Sequence, residues 1–193
     1  MQGHEAEFVD VERSLQQAET LCLADRASLA VWLLEAQRHA AVNAEAAAAL
    51  VDRIMRIRLE VLGDNQGAEE CLWRHLEVWG APWPSSCIAV ALAKGSPHLS
   101  LDTLRLFMER GLPASMLKAA LCAQAQLAVQ LGRDEDAKAA LQAALDAAPG
   151  EVEVVDKALA FALEQGEWKL AAAWLKQASD SKVAPEALFE HAG

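Results

Sequence analysis

The sequence has no tyrosine, and aromatic residues make up only 5% of its 193 positions. It also has few stretches in which apolar and polar residues alternate, so it gives little support for β-strands. The longest uninterrupted apolar run, Cys87 to Ala93, is far shorter than the roughly 20 residues that a membrane-spanning helix needs. Helical periodicity recurs instead along an alanine-rich chain, which predicts an all-α protein without a transmembrane helix.

Lysine and arginine are outnumbered by acidic residues, 17 to 28, and the net charge is -11. This balance argues against nucleic acid as a partner, because attraction to phosphate supplies most of the affinity of general nucleic-acid binders. The cationic cluster of Arg53, Arg56 and Arg58 is flanked by Asp52 and Glu60, each four residues from Arg56. Such spacing predicts a solvated helix face with salt bridges.

Cysteine is also rare, and the four residues Cys22, Cys71, Cys87 and Cys122 lack the spacing of a disulfide scaffold or a zinc site. We therefore expect four free thiols. Cys71 and His75 lie one helical turn apart, but two ligands are too few for a metal site. A packed thiol beside a hydrogen-bonded core histidine is the favoured interpretation, so no metal is expected.

Motifs for phosphate, zinc, acyl and dinucleotide chemistry are absent. The sequence therefore predicts a protein that is not an enzyme and has no cofactor. An enzyme, or the regulatory subunit of one, remains an alternative, because the absence of a known motif is weak evidence that catalytic activity is absent. The first seven residues are acidic where a signal peptide would be basic and then apolar, which together with the thiols predicts a cytoplasmic protein.

What the chain does contain is a repeat of 34 residues, in which each of four positions recurs at the same offset. The pairs are Gly132 and Gly166, Ala137 and Ala171, Leu141 and Leu175, and Ala144 and Ala178. This period is typical of stacked helix-turn-helix units. A glycine ends the first helix of each unit, Asp134 and Glu135 suit the start of a second helix, and Pro149 ends it. We expect helix pairs over 118–148 and 152–180, with Leu141 and Leu175 equally buried.

These residues resemble the tetratricopeptide repeat (TPR) family, most clearly over 118–185. The unit 118–151 has the family's small, turn, small, large, small and proline residues as Ala125, Gly132, Ala137, Leu141, Ala144 and Pro149. The unit 152–185 departs from the pattern at Leu159 and Val183, and the degenerate unit 84–117 keeps Ala91 and Phe107 around an early turn at Gly95-Ser96-Pro97. The resemblance implies a right-handed solenoid of antiparallel helix pairs.

Four helices are predicted before the repeats, near 5–22, 26–41, 44–62 and 66–79. Asp25 and Asn43 are candidate caps, and Gly63-Asp64-Asn65 is a stop signal. Residues 1–80 thus form an N-terminal helical segment, either degenerate repeats or a cap, and residues 81–193 form the TPR-like region. The prolines and glycine between Trp79 and Pro84 read as an elbow in one continuous solenoid.

The tryptophans are expected mostly in the core, Trp32 included, because large aromatic side chains usually fill the gaps between helices. Trp168 is the possible exception, an exposed anchor for a partner at the start of a helix. In TPR proteins the first helices of successive units line a concave groove. The resemblance places eight residues on that face: Cys122, Gln126, Val129, Gln130, Asp156, Ala160, Leu163 and Glu164.

This predicted groove is neutral to acidic. Chaperone-binding TPR proteins carry a cationic and amide clamp for a terminal carboxylate, and Cys122, Gln126 and Asp156 stand at three of its positions, which argues against such a ligand. The sequence therefore predicts a scaffold or adaptor that binds a peptide or helix of another protein, apolar with some basic residues. The alternative is a secretion-type chaperone that shields an apolar segment of one export substrate.

Overall fold

The computed structural model describes residues 10–180, and over that range it contains helices and no strand, so the all-α prediction is confirmed. The helices are α1 Val11–Leu23, α2 Ala27–His39, α3 Ala44–Arg56, α4 Asn65–Trp79, α5 Cys87–Leu92, α6 Pro97–Glu109, α7 Ala114–Gln130, α8 Asp134–Ala147, α9 Val152–Glu164 and α10 Trp168–Asp180. Helix α3 continues into one π-helical turn, Ile57–Val61. None of the helices described is both long and apolar enough to cross a membrane.

The chain forms two compact units, one ending at Lys94 and the other beginning at Gly95. The first contains α1 to α5, and the second contains α6 to α10. The predicted degenerate repeat 84–117 is therefore divided between them, with α5 in the first unit and α6 in the second.

Asn43 and Asp64 cap the helices that follow them, the first as predicted and the second at a position predicted only as part of a stop signal. The side chain of Asn43 accepts a hydrogen bond of 2.8 Å from the Ala46 amide at the start of α3. Asp64 likewise accepts one of 2.9 Å from the Gly67 amide and caps α4. Each side chain satisfies one of the amides that a helix start leaves without an intrahelical partner.

The prediction of Asp25 as a cap is wrong. Arg26 occupies the position before α2 and makes no capping side-chain bond, whereas Asp25 has a φ of 57°. Asp25 instead terminates α1, because its left-handed backbone lets the Arg26 amide donate to the Leu21 carbonyl at 2.8 Å. Helix α1 begins at Val11, and residues 5–9 of its predicted range lie outside the described residues.

The arginine cluster is only partly the solvated face that was expected. Arg56 does pair with Asp52 at 3.0 Å. Arg58, however, is largely covered and pairs with Asp64 and with Glu35 of α2, a partner 23 residues away that local spacing could not indicate. No described residue pairs with Glu60, which is exposed.

Cys71 and His75 form the packed arrangement predicted for them. Both are buried, and the imidazole Nε2–H donates to the Pro82 carbonyl at 2.9 Å. Burial raises the pKa of the Cys71 thiol to about 12. All four cysteines of the chain are free thiols. Among the residues described, no three histidine, cysteine or acidic side chains are grouped so as to hold a metal ion.

The tryptophans are not distributed between the core and the surface as predicted. Trp174 is buried and Trp168 is 70% exposed, as expected, but Trp32 is also exposed, at 68%. The buried stripe of α2 runs through Ala30, Val31 and Leu34, and Trp32 points away from it. Its expected place in the core is therefore wrong, because the apolar face of α2 is set by its neighbours rather than by its largest side chain.

The repeat in the second unit is visible in two turns that lie 34 residues apart. Gly132 and Gly166 have φ angles of 67° and 70°, in the left-handed region that glycine adopts at little cost. After them, the Arg133 amide donates to Ala128 at 2.9 Å and the Glu167 amide donates to Ala162 at 2.8 Å. The predicted helix pairs 118–148 and 152–180 thus correspond to α7 with α8 and to α9 with α10.

Side chains also join the two pairs to each other. The Trp174 indole donates to Gln142 at 2.7 Å, and the Gln177 amide donates to Asp146 at 2.9 Å, so α10 contacts α8. Lys138 of α8 pairs with Glu167, just before α10, at 2.8 Å. Lys118 of α7 pairs with Glu151, just before α9. Each contact therefore links a helix to its counterpart in the next repeat, or to the residue that precedes that counterpart.

Leu141 and Leu175 are not equally buried, and that prediction is wrong. Leu141 is 3% exposed, whereas Leu175 is 36% exposed. Helix α9 packs against α8 and covers Leu141, while no described helix comes after α10 to cover Leu175 in the same way. Burial at this position thus depends on the helix that packs over it, in addition to the residue type.

Candidate functional site

The second unit has a cleft of about 310 Å³ formed by α7, α8 and α9. Ten residues line it: Cys122, Ala125, Gln126, Val129, Gln130, Leu141, Lys157, Ala160, Phe161 and Glu164. Most come from α7 and α9, the first helices of the two repeats, and Leu141 comes from α8.

Six of the eight residues predicted for the groove line this one cleft, namely Cys122, Gln126, Val129, Gln130, Ala160 and Glu164. They share a face because residues three, four and seven or eight positions apart lie on the same side of a helix. Their role in binding a partner stays a prediction.

Asp156 and Leu163 do not line the cleft, although both are exposed. The lining residues of α9 cover an arc of about 100° that starts at Ala160, at 100° per residue. Asp156 and Leu163 lie about 40° and 60° outside that arc, on the adjoining face of the helix. The face of α9 predicted from the sequence is therefore rotated about the helix axis relative to the observed lining, by less than the roughly 100° that separates successive residues.

The cleft has an apolar floor and a more polar rim. Ala125, Leu141 and Phe161 are buried at its floor, together with the Cys122 thiol. The exposed rim carries the amides of Gln126 and Gln130, the apolar side chain of Val129, and Glu164. Such a site can bury an apolar side chain and make hydrogen bonds around it.

The two ionic side chains in the cleft differ in their availability. Lys157 Nζ lies 2.7 Å from Glu153 Oε1, and the hydrogen bond to this carboxylate raises the pKa of Lys157. Lys157 is therefore protonated at neutral pH, and Glu153 balances part of its charge. Glu164 has no ion-pair partner among residues 10–180, so the charge that the cleft offers to a ligand is negative.

The Cys122 thiol is poorly suited to chemistry in this cleft. It is buried, and burial raises its pKa above the ordinary value. The thiolate, which is the reactive form, is thus scarce at neutral pH.

Trp168 lies outside the cleft, at the first position of α10. Its exposed indole fits the prediction of exposure, whereas its role as an anchor is untested. The lining residues that sequence reasoning missed are Ala125, Leu141, Lys157 and Phe161. Three of them are the buried floor, and the spacing of apolar residues had already marked Leu141 and Ala125 as core positions.

No protein-family model matches this sequence, and comparison with curated proteins finds no match. The residues of the cleft therefore carry the functional argument.

Proposed function

We propose that this chain is a non-catalytic scaffold or adaptor that binds a peptide or helix of another protein in the cleft between α7, α8 and α9. The proposal includes a TPR-like architecture for the second unit, a right-handed solenoid of antiparallel helix pairs. The two matching glycine turns and the contacts of α8 with α10 support that architecture. In repeat proteins such stacking creates extended surfaces that bind peptides.

The observation that carries the proposal is the apolar floor beneath a rim whose available charge is Glu164. A ligand that fits this arrangement inserts an apolar side chain and places a lysine or arginine near the Glu164 carboxylate. A carboxylate-ended peptide fits poorly, because Glu164 repels it and Lys157 already has the carboxylate of Glu153 beside it.

Two further observations agree with a binding role in a reducing compartment. The raised pKa of Cys122 and the ion pair of Lys157 leave the cleft without an activated nucleophile. The four free thiols support a cytoplasmic protein.

A secretion-type chaperone is the second candidate, and exposed apolar side chains beyond the cleft favour it. Leu163 and Trp168 are both exposed near the turn between α9 and α10. Such residues could shield an apolar segment of an export substrate. A one-to-one complex with a single, otherwise insoluble protein would distinguish this function from that of an adaptor with several partners.

Filling the cleft tests the proposal directly. Ala160 is exposed inside the cleft, whereas Ala172 is exposed on α10 outside it. We expect Ala160→Trp to abolish recovery of the partner in a quantitative pull-down from the native cell, because the indole occupies the floor. Ala172→Trp is the matched control and should recover the partner as the parent does. Equal recovery by both variants would exclude this cleft as the binding site.

The charge of the cleft is tested by a second matched pair on α9. Glu164→Lys should weaken partner binding by about fivefold to tenfold at low salt, and by less at high salt, since the charges involved are exposed. Asp156→Lys changes the net charge equally but lies outside the cleft, and it should have little effect. Both should leave the free energy of unfolding within about 0.5 kcal/mol, as surface substitutions usually do. A larger effect of Asp156→Lys would move the site to the adjoining face.

A further inference from the structure

A second cleft, in the first unit, lies where the turn between α1 and α2 meets the π-helical end of α3. Its volume is about 470 Å³. It is lined by Asp25, Arg26, Ala27, Ser28, Leu29, Val61 and Leu62. None of these residues belongs to the cleft of the second unit, and none was a predicted partner-binding residue.

Large apolar side chains are exposed in and around this cleft. Leu29, Val61 and Leu62 line it and are exposed. Trp32 is one helical turn beyond Leu29 on the same face of α2, and Leu23, at the end of α1, is 85% exposed. We call these five residues the α2 patch. Clustered exposed apolar residues of this kind mark surfaces that another molecule covers.

The backbone on both sides of the cleft is unusual. Of the seven left-handed positions among residues 10–180, six are glycines and the seventh is Asp25. Aspartate is one of the few residues with a side chain that enters the left-handed region readily, and sparsely populated backbone conformations cluster at functional sites. The opposite wall is the π-helical turn Ile57–Val61, a rare conformation that also occurs frequently at such sites. Asp25 is thus the one described residue other than glycine in the left-handed region, at a turn that lines the cleft.

Asp25 and Arg26 bring opposite charges to one edge of the cleft. Neither side chain has a hydrogen bond or an ion pair with any residue in the described part of the chain. In an isologous interface, if residue i of one copy contacts residue j of the other, then residue j of the first copy contacts residue i of the second. A free carboxylate beside a free guanidinium can therefore form two ion pairs when two copies meet across a two-fold axis.

We propose that the α2 patch is the interface of a two-fold homodimer. Asp25 of each copy pairs with Arg26 of the other beside the two-fold axis, and Trp32, Leu29, Val61 and Leu62 are buried on either side of it. Tryptophan and arginine are the residues most enriched among those that dominate binding energy. This inference does not depend on the proposed function of the second unit.

The first test is the mass of the full chain in solution, by sedimentation velocity and light scattering over a concentration series at about 0.15 M salt, where the Debye length is about 8 Å. We expect a concentration-dependent dimer. Trp32→Ala should raise the dimer dissociation constant about thirtyfold or more, the loss typical of one hot-spot residue. Trp168→Ala is the matched control, since both indoles are about equally exposed, and it should leave the constant unchanged.

A parent chain that is monomeric at about 100 μM would overturn the proposal, since that affinity is weaker than specific dimers show. An equal effect of the two tryptophan substitutions would also overturn it, because the association would then not centre on the α2 patch. In the partner pull-down, Trp32→Ala should still recover the partner, so failure of the dimer and failure of the cleft in the second unit are distinguishable.

The second test separates the charge of Asp25 from its structural role. Glycine adopts the left-handed conformation readily, so Asp25→Gly should melt at the same temperature as the parent or higher. The same substitution removes both intersubunit ion pairs and should raise the dissociation constant at least about fivefold. Arg26→Glu, which leaves four carboxylates at the interface, should raise it further. A parent-like dissociation constant for Asp25→Gly would refute the two-fold pairing.

Discussion

Replacing Leu141 by alanine tests whether the 34-residue repeat reflects stacked units, because Leu175 is its counterpart with a different environment. Leu141 is 3% exposed beneath α9. Emptying a fully buried leucine site costs about 2.7–5.0 kcal/mol, and the cost rises with the cavity that remains. Leu141 also borders the cleft, so water can reach part of the space. We therefore expect the lower part of the range, about 3 kcal/mol.

Leu175→Ala serves as the control. Burying a leucine side chain completely contributes about 1.5–3 kcal/mol, and Leu175 is 36% exposed, so its truncation should cost only about 1 kcal/mol. Urea unfolding followed by circular dichroism measures both differences through the shift in midpoint at constant slope. Equal losses for the two variants, or a loss below about 0.5 kcal/mol for Leu141→Ala, would refute the stacking of α9 on α8.

Two other predictions concern buried groups of the first unit. In native protein near pH 8, a thiol reagent should modify half-buried Cys22 first and Cys71 and Cys87 slowly, since burial raises the pKa of those two thiols to about 12 and about 11. After denaturation, four equivalents of reagent should react. A disulfide between any two cysteines would contradict the prediction of free thiols. Burial lowers the pKa of His75, so its stabilising contribution is complete above the unfolded value of about 6.5 and is lost as the pH falls through the folded pKa. Between about pH 7 and pH 5 the parent should therefore lose more stability than His75→Gln, and parallel urea midpoints for the two proteins would contradict the buried neutral imidazole.

The ends of the helices were predictable because local residues decide them. Gly132 and Gly166 supply the left-handed turn, Asn43 caps with its own side chain, and Pro149 cannot continue a helix. Asp25 misled the prediction because aspartate suits both a helix start and a left-handed helix end. The role that Asp25 takes depends on its position within the α1–α2 turn, next to the end of α1 rather than directly before α2.

Features that depend on distant residues were not predictable from spacing. Arg58 reaches Glu35 on another helix, and Leu141 is buried because α9 covers it, whereas Leu175 is 36% exposed. The cleft was partly predictable, since the period of 3.6 residues brings Gln126 and Val129 to one face. Its floor was missed because Phe161 belongs to it only through the rotation of α9 against α8, which tertiary packing fixes.

The side-chain bonds between the two repeats of the second unit also bear on how fast this unit folds. They join residues 29 to 35 positions apart, with Lys138–Glu167 at the lower end and Gln142–Gln177 at the upper. The entropy lost on closing a loop grows with its length, and domains dominated by short sequence separations fold in microseconds to milliseconds. Each new helix pair finds its docking surface on the pair just completed. Contacts of this length favour fast folding of the second unit, because no helix must wait for a partner from a distant part of the sequence.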